Sequence, residues 1–514
     1  QFREEIIMKK YLRVFISLNI LIFIVTLYSC SKKSKDLITK KKDLIVVDIA
    51  PEYVFTKTKL PIYEYRNEPH ISYVSVTEFI DFIDEGIIDV SVNITEEMII
   101  SFELEEYQAY YEMTIDAHND VVSFNDINML ANLNAEILTE YETELTLSDI
   151  EVYEQDPAVE IDLSLYNFDI VTYDDEYYLP LFLANLFLTG DFINIYETDD
   201  YLYILDNFTD INDLVVKYKA GKDKAIKDIS IYTKNYLALY FDYFYGLKGY
   251  KKIDTYLTEL DEYDFENKNS YLSLHRELER FINEHDDLHT TIVTSGYMND
   301  SFYPTLNSND KYINYVRAYL NNQCNVREEE VTYQNYEDLI VVEINAFSLD
   351  TKSLLVDVMK KANAYDNIII DVGCNGGGNV VAVIELLSYL TNKEIPIAYI
   401  NPLTGSKIIE YYKGTNKALV NKNIYVFSTA ATFSAANLFT SIVKDLDLAV
   451  ILGEKSSGGA SAITYTVLPD GAIIINSSNM TFVNHDNNII EGGIEVDIPY
   501  QYPVNWSNIL NYIK

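Results

Sequence analysis

Three short stretches hold residue types that do chemistry when they converge. The first centres on Ser434. An apolar run, Ile424–Phe427, gives way to a small polar turn, and Ala435, Leu438, Phe439, Ile442, Val443 and Leu446 then recur at helical spacing. A serine at the start of such a helix sits where free amide N–H groups and the positive dipole end favour an alkoxide or oxyanion. The same place suits an N-cap, whose hydroxyl accepts a bond from the first turn. The second stretch, Asp371-Val-Gly-Cys374-Asn375-Gly-Gly377-Gly378, follows the apolar run Ile368–Ile370 and reads as strand, glycine turn and helix start. It lacks the Gly-Lys-Ser/Thr ending of a phosphate loop and the spaced glycines of a dinucleotide site. An oxyanion hole and a plain tight turn both remain. The third stretch, Asp287-Leu288-His289-Thr290, carries one of only six histidines. His289 is either a surface side chain or the general base that a serine hydroxyl, un-ionised near neutral pH, needs. Cys374 paired with His289 gives a thiol-peptidase alternative.

The elements that must position these residues alternate in type. From Asp338 the chain predicts strand Leu339–Ile344, helix Thr351–Ala362, strand Ile368–Asp371 and helix Val380–Leu390. Strand Ile424–Phe427, helix Ser434–Leu446, strand Leu448–Leu452 and strands near Ala472–Ile475 and Ile494–Ile498 follow. Residues 338–514 are therefore expected to form an α/β core. Twelve of the 18 glycines lie in residues 373–514, so the tight turns are concentrated there. Upstream, Asn235–Tyr245, Ile253–Leu260 and Ser270–Asn283 show helical spacing, which makes residues 216–296 a helical subdomain carrying the His289 motif. Residues 297–337 connect the two. Residues 46–215 read as an acidic, β-rich domain, with alternating runs such as Ile71–Val76 and Tyr201–Leu205. Within it, Tyr63–Asp84 and Tyr173–Phe192 both place a Tyr-containing strand before an amphipathic helix, as a duplicated unit does.

Composition bounds the partners. The 514 residues carry 39 Lys and Arg against 80 Asp and Glu, a net charge of −41, which argues against a sequence-blind grip on nucleic acid. Residues 373–514 hold 8 basic and 11 acidic side chains, so nearly all the negative charge lies in the first 372. From Met8 the chain reads Lys9, Lys10 and Arg13, then the apolar run Val14–Leu27, then Tyr28-Ser29-Cys30. That is the pattern of a secretory signal, too short for a stable membrane span. The Leu-x-Ser-Cys ending is similar to the bacterial lipoprotein signal, which makes Cys30 the lipidated residue, residues 1–30 a signal peptide with lipobox, and 31–45 a tether. Only Cys324 and Cys374 then remain, and in an exported protein they either pair or stay as two buried thiols.

Taken in order, Asp287-Leu-His289-Thr, Leu339–Phe347, Asp371-Val-Gly-Cys-Asn375-Gly-Gly-Gly378, Thr432-Phe-Ser434-Ala-Ala-Asn437, Gly453-Glu454-Lys-Ser-Ser-Gly458-Gly459 and Gly493-Ile-Glu495-Val-Asp497 resemble the tail-specific, or C-terminal processing, serine peptidases. The resemblance spans roughly residues 230–514 and implies a ClpP/crotonase-like core. One design in that family uses a lysine after the Gly-Glu motif, where this chain has Gly459, and Lys455 then reads as a solvated surface lysine. The other, seen in the tricorn core, uses serine, an upstream histidine and a late glutamate. The resemblance to this second design implies Ser434 as nucleophile, His289 as base and then acid, and Glu491, or failing it Glu495, as the orienting carboxylate. Backbone amides of Gly377 or Gly378 and of Ala435 are the implied oxyanion hole. Asn437 stands where many relatives have Glu, and about fifty residues between Thr290 and Asp338 are too few for a PDZ module.

The implied protein is a lipid-anchored serine endopeptidase in the cell envelope of a bacterium. It acts on protein or peptide substrates and has no metal or organic cofactor. Two other classes stay open: a peptidase-like fold kept as a binding module, and a binding lipoprotein whose working part is the acidic Tyr-rich domain.

Overall fold

The computed structural model describes residues 38–48, 57–83, 90–95, 98–104, 109–127, 145–153, 158–190, 193–198, 201–206, 226–297 and 309–513, the last without 415, 417, 418, 420 and 502. The signal peptide with Cys30, and residues 31–37 of the expected tether, lie outside the described residues. The rest of that tether is corrected: Ile38–Asp48 is a strand, paired with Lys59–Tyr65 and Tyr201–Asp206. Ile38 and Leu44 are buried in the core, which is why the lysines between them do not make a linker.

The acidic region builds two sheets. A seven-stranded sheet centres on Glu68–Ser75, Lys59–Tyr65 and Ile38–Asp48, and an antiparallel five-stranded sheet runs from Val90–Ile94 to Val159–Asp162. The two similar stretches each form a hairpin followed by a helix, Val76–Ile83 in one and Leu181–Thr189 in the other. Their second strands pair antiparallel, Leu179 opposite Val74. Both helices bury apolar side chains against that sheet.

The C-terminal part has a sheet ordered Val331–Asn335, Leu339–Ile344, Asn367–Asp371, Asn423–Ser428, Val450–Gly453 and Ile498–Pro499, parallel except at its first strand. Every residue of Leu339–Ile344 is buried, as a central strand covered on both faces requires. Helices Thr351–Ala362, Val380–Leu390 and Ala435–Asp445 pack their apolar sides into this core. Asn379 caps the second by accepting a bond from the Val381 amide at 2.7 Å.

A second sheet of this part joins regions remote in sequence. Its order is Thr291–Ile292, Ile473–Phe482, Ile395–Ile400, Lys407–Lys413 and Thr146–Tyr153, with Ser461–Val467 also on Ile473–Phe482. The edge strand Thr146–Tyr153 comes from the acidic region, and Ser148 Oγ donates to the Tyr411 carbonyl at 3.0 Å. Helix Ile226–Tyr243 lies against the other end of the sheet. Its buried Tyr236 bonds Thr466, and Tyr240 donates to Asn476 Oδ1 at 2.9 Å. Helix Tyr271–Glu284, opened by a Ser270 capping box, leads into the His289 segment.

Residues expected only to connect have structure of their own. Asp310–Asn321 is a helix capped by Asn309, and Cys324, just beyond it, is disulfide-bonded to Cys374 with Cα atoms 5.3 Å apart. The two cysteines thus pair, and the thiol-peptidase alternative is ruled out because the Cys374 sulfur is already bonded.

Candidate active site

Ser434 stands between strand Asn423–Ser428 and helix Ala435–Asp445 with φ 54° and ψ −123°, a conformation non-glycine residues rarely hold. Three contacts enforce it. The Phe433 amide donates to the Asn375 carbonyl at 3.0 Å, the Ser434 amide donates to the Gly458 carbonyl at 2.8 Å, and Thr432 Oγ1 donates to the Val372 carbonyl at 2.8 Å. The serine is therefore clamped between two glycine loops. Its hydroxyl makes no capping bond to the helix. Instead, Ser434 Oγ lies 3.0 Å from His289 Nε2, so the hydroxyl is paired with the imidazole and does not cap the helix.

His289 is buried, with its ring 4.6 Å from the ring of Phe433. Its backbone amide donates to Asp287 Oδ1 at 3.0 Å, and Nδ1 faces Ser477 Oγ at 3.3 Å. Burial pushes the imidazole below its ordinary pKa; Asp287 opposes that shift and Lys311 adds to it. The neutral ring is the form able to take a proton from Ser434. Burial acts to raise the Asp287 carboxyl. The neighbouring His289 and the bonds from the Thr290 hydroxyl, at 2.7 Å, and the His289 amide outweigh it and keep the group ionised.

The glycine loop meets the serine directly. A Cβ on Gly377, whose φ is 110°, would lie 2.6 Å from Ser434 Cβ and 3.1 Å from the Ala435 nitrogen. The Gly377 amide donates to Asn375 Oδ1 at 2.8 Å, and Asn375 is itself held by the Ile344 carbonyl. Of the three amides expected to form an oxyanion hole, Gly377 is thus engaged. Gly378 and Ala435, the latter at the first position of its helix, have no acceptor among the described residues. Gly459, at the family's lysine position, packs so closely that a Cβ would lie 2.9 Å from the Ser434 nitrogen. Lys455 points away, 2.7 Å from Glu495 on the surface, so neither Lys455 nor the fallback Glu495 belongs to the site.

Glu491 is buried nearby, but its bonds run elsewhere. One oxygen pairs with Lys311 of helix Asp310–Asn321, and the other accepts from the Gly459 amide at 3.2 Å and the Ala460 amide at 2.8 Å. Burial raises the Glu491 carboxyl and Lys311 opposes that shift. On the lysine, the same pairing outweighs burial and holds the ammonium. Asn437 supports this loop by donating to the Ile490 carbonyl at 3.1 Å. Sequence reasoning missed Lys311, Ser477 and the holding role of Asn375. No local pattern marks Lys311 or Ser477, whereas an asparagine inside a glycine turn is a residue type that bonds its own backbone.

A strained serine at a strand-to-helix turn, a histidine on its hydroxyl and the free amide of the first helical residue thus meet at one place. Residues 338–500 match the profile of Peptidase family S41. A Staphylococcus aureus (strain N315) protein described as a CtpA-like serine protease is 23% identical over 181 residues, 35% of this chain and 36% of its own. The carboxyl-terminal-processing protease of Picosynechococcus sp. is 24% identical over 183 residues, 35% of this chain and 43% of its own. The chain thus spans about two fifths of the length of these relatives. A solved structure from Parabacteroides merdae, described as a peptidase, superposes with a TM-score of 0.41 at 18% identity. That match covers 54% of this chain and 91% of the other.

Proposed function

We propose that the chain is a serine endopeptidase of the C-terminal processing type, exported and lipid-anchored through Cys30 in a bacterial envelope. The observation that carries the activity is the 3.0 Å approach of Ser434 Oγ to Nε2 of a buried His289. In the reaction, Ser434 Oγ attacks the scissile carbonyl carbon while Nε2 takes its proton. The oxyanion is met by the free Ala435 and Gly378 amides. The tetrahedral species collapses as His289 returns the proton to the departing amine, and water attacks the acyl-serine by the same steps in reverse. Protein or peptide substrates fit the family, and no step calls for a metal or organic cofactor.

Treating the purified chain with a fluorophosphonate probe tests the reading. A covalent adduct on Ser434, abolished in Ser434→Ala and His289→Ala, is the expected result. A folded parent protein that takes up no probe turns the reading toward a binding module. Palmitate-analogue labelling lost in Cys30→Ala tests the anchor.

A further inference from the structure

The base of a serine peptidase needs two services that one carboxylate commonly supplies: a partner on Nδ1 that fixes ring and tautomer, and a negative charge that stabilises the imidazolium as it forms. We propose that they are divided here, Ser477 orienting the His289 ring through Nδ1 and Asp287 supplying the charge, both as positioning residues. This rests on the reading of Ser434 and His289 above.

The sheet explains the placement of Ser477. Thr291 pairs with Ile475 and Ile292 with Ile474 in an antiparallel ladder, and continuing that register sets residue 289 opposite residue 477. Ser477 is also paired with Ile463 on the other side, and its carbonyl accepts from the Gly246 amide at 3.0 Å. Its backbone is thus pinned from both flanks, and its fully buried hydroxyl is held 3.3 Å from Nδ1. Accepting a hydrogen bond from Nδ1–H there keeps the proton on Nδ1 and leaves the Nε2 lone pair directed at Ser434. A hydroxyl does this without adding charge.

The charge lies two residues before the ring. Asp287 is buried, and its oxygens accept from the His289 amide at 3.0 Å, the Thr290 hydroxyl at 2.7 Å and the Tyr245 hydroxyl at 3.2 Å. No ring nitrogen of His289 is among those donors, so Asp287 acts across space. The other titratable groups around it are Lys311 with its partner Glu491, Lys251, His285 from the preceding helix end, Tyr245 and Tyr256. Lys311 repels a charged His289 and Asp287 attracts it, so Asp287 is the group that can favour the imidazolium.

The test uses the full chain with 15N-histidine, the His289 signals being assigned by their loss in His289→Ala. In the parent, the proton is expected on Nδ1; a proton fixed on Nε2 overturns the orienting half without any variant having to fold. Ser477→Ala is expected to mix the two tautomers and slow fluorophosphonate labelling of Ser434 roughly tenfold, the size of one neutral hydrogen bond, with the pH profile unmoved. Asp287→Asn is expected to slow labelling on the order of a hundredfold and move the acid limb to lower pH, because the attraction that raises His289 is gone. Parent tautomer and labelling rate in Ser477→Ala, or an unmoved acid limb in Asp287→Asn, overturn the corresponding half. A parent that shows the Nδ1 tautomer but takes up no probe refutes the nucleophile reading while leaving the orientation standing.

Discussion

Replacing Gly377 by alanine tests whether Ser434 is held where the geometry puts it. The new Cβ would lie 2.6 Å from Ser434 Cβ, about 0.8 Å inside ordinary contact, and 3.1 Å from the Ala435 nitrogen. The backbone at Gly377 has φ 110°, which costs a side chain about 1–2 kcal/mol. Relieving the clash adds about 1–3 kcal/mol, so the expected loss of stability is roughly 2–5 kcal/mol. Displacing a reacting atom by about 1 Å costs on the order of a hundredfold in rate. The second-order rate of fluorophosphonate labelling should therefore fall roughly a hundredfold in protein that denaturant titration shows to be folded. Gly376→Ala is the control. The nearest atom there is the Tyr315 hydroxyl oxygen at 3.0 Å, at the end of a side chain, and the backbone is not left-handed. Its labelling should stay within about threefold of the parent, since a surface-like change is usually worth no more than about 0.5 kcal/mol, a factor of about two. Parent rates in Gly377→Ala would mean that contact with this glycine does not set the position of Ser434.

Lys311→Met leaves the Glu491 carboxylate buried with amide donors alone, and denaturant titration should find about 3–5 kcal/mol less stability, partly restored by adding Glu491→Gln. Cys324→Ser opens a bridge across a sequence separation of 50, and melting with and without reductant should show a loss of about 2–4 kcal/mol in the variant and in the reduced parent. His275 is held at about 4 and His285 at about 3 by burial, with Lys251 adding to the latter. Both are neutral when folded, so their contribution is complete above the ordinary value of 6.5 and is lost as pH falls toward those values, which acid unfolding curves will show. Lys455→Ala should label at the parent rate because that lysine pairs with Glu495 at the surface; a large loss would return the lysine design to consideration.

Much of this was legible because local pattern and burial agree. Leu339–Ile344, Thr351–Ala362 and Val380–Leu390 have the bounds their sequence predicts, since continuous apolar runs become central strands and helical spacing becomes packed helices. Ser434 and His289 were named from neighbouring residues, and the structure brings them together across 145 positions. The orientation of His289 was not legible. Ser477 reaches Nδ1 only because two strands far apart in sequence share a register, and no one-dimensional period records which strands pair. The same holds for Lys311, which lies in a segment the sequence marks only as a connection, while the structure makes it a helix paired with Glu491. Ile38–Asp48 misled for a different reason: its lysines suggest a solvated tether, while Ile38 and Leu44 decide burial.

The strand Thr146–Tyr153 has a consequence for the order of synthesis. It closes the edge of a sheet whose neighbouring strand, Lys407–Lys413, lies some 260 residues later. At roughly 5–20 residues per second, the earlier strand exists for about 13–50 s before its partner is made. Asp149 and Glu151, spaced two apart along it, place like charges that discourage pairing with another copy during that wait. The later strand has no such interval, because its partner is already waiting. A chain trimmed to residues 338–500 would reverse this arrangement, leaving Lys407–Lys413 with a bare edge and inviting aggregation in a fragment that still contained Ser434.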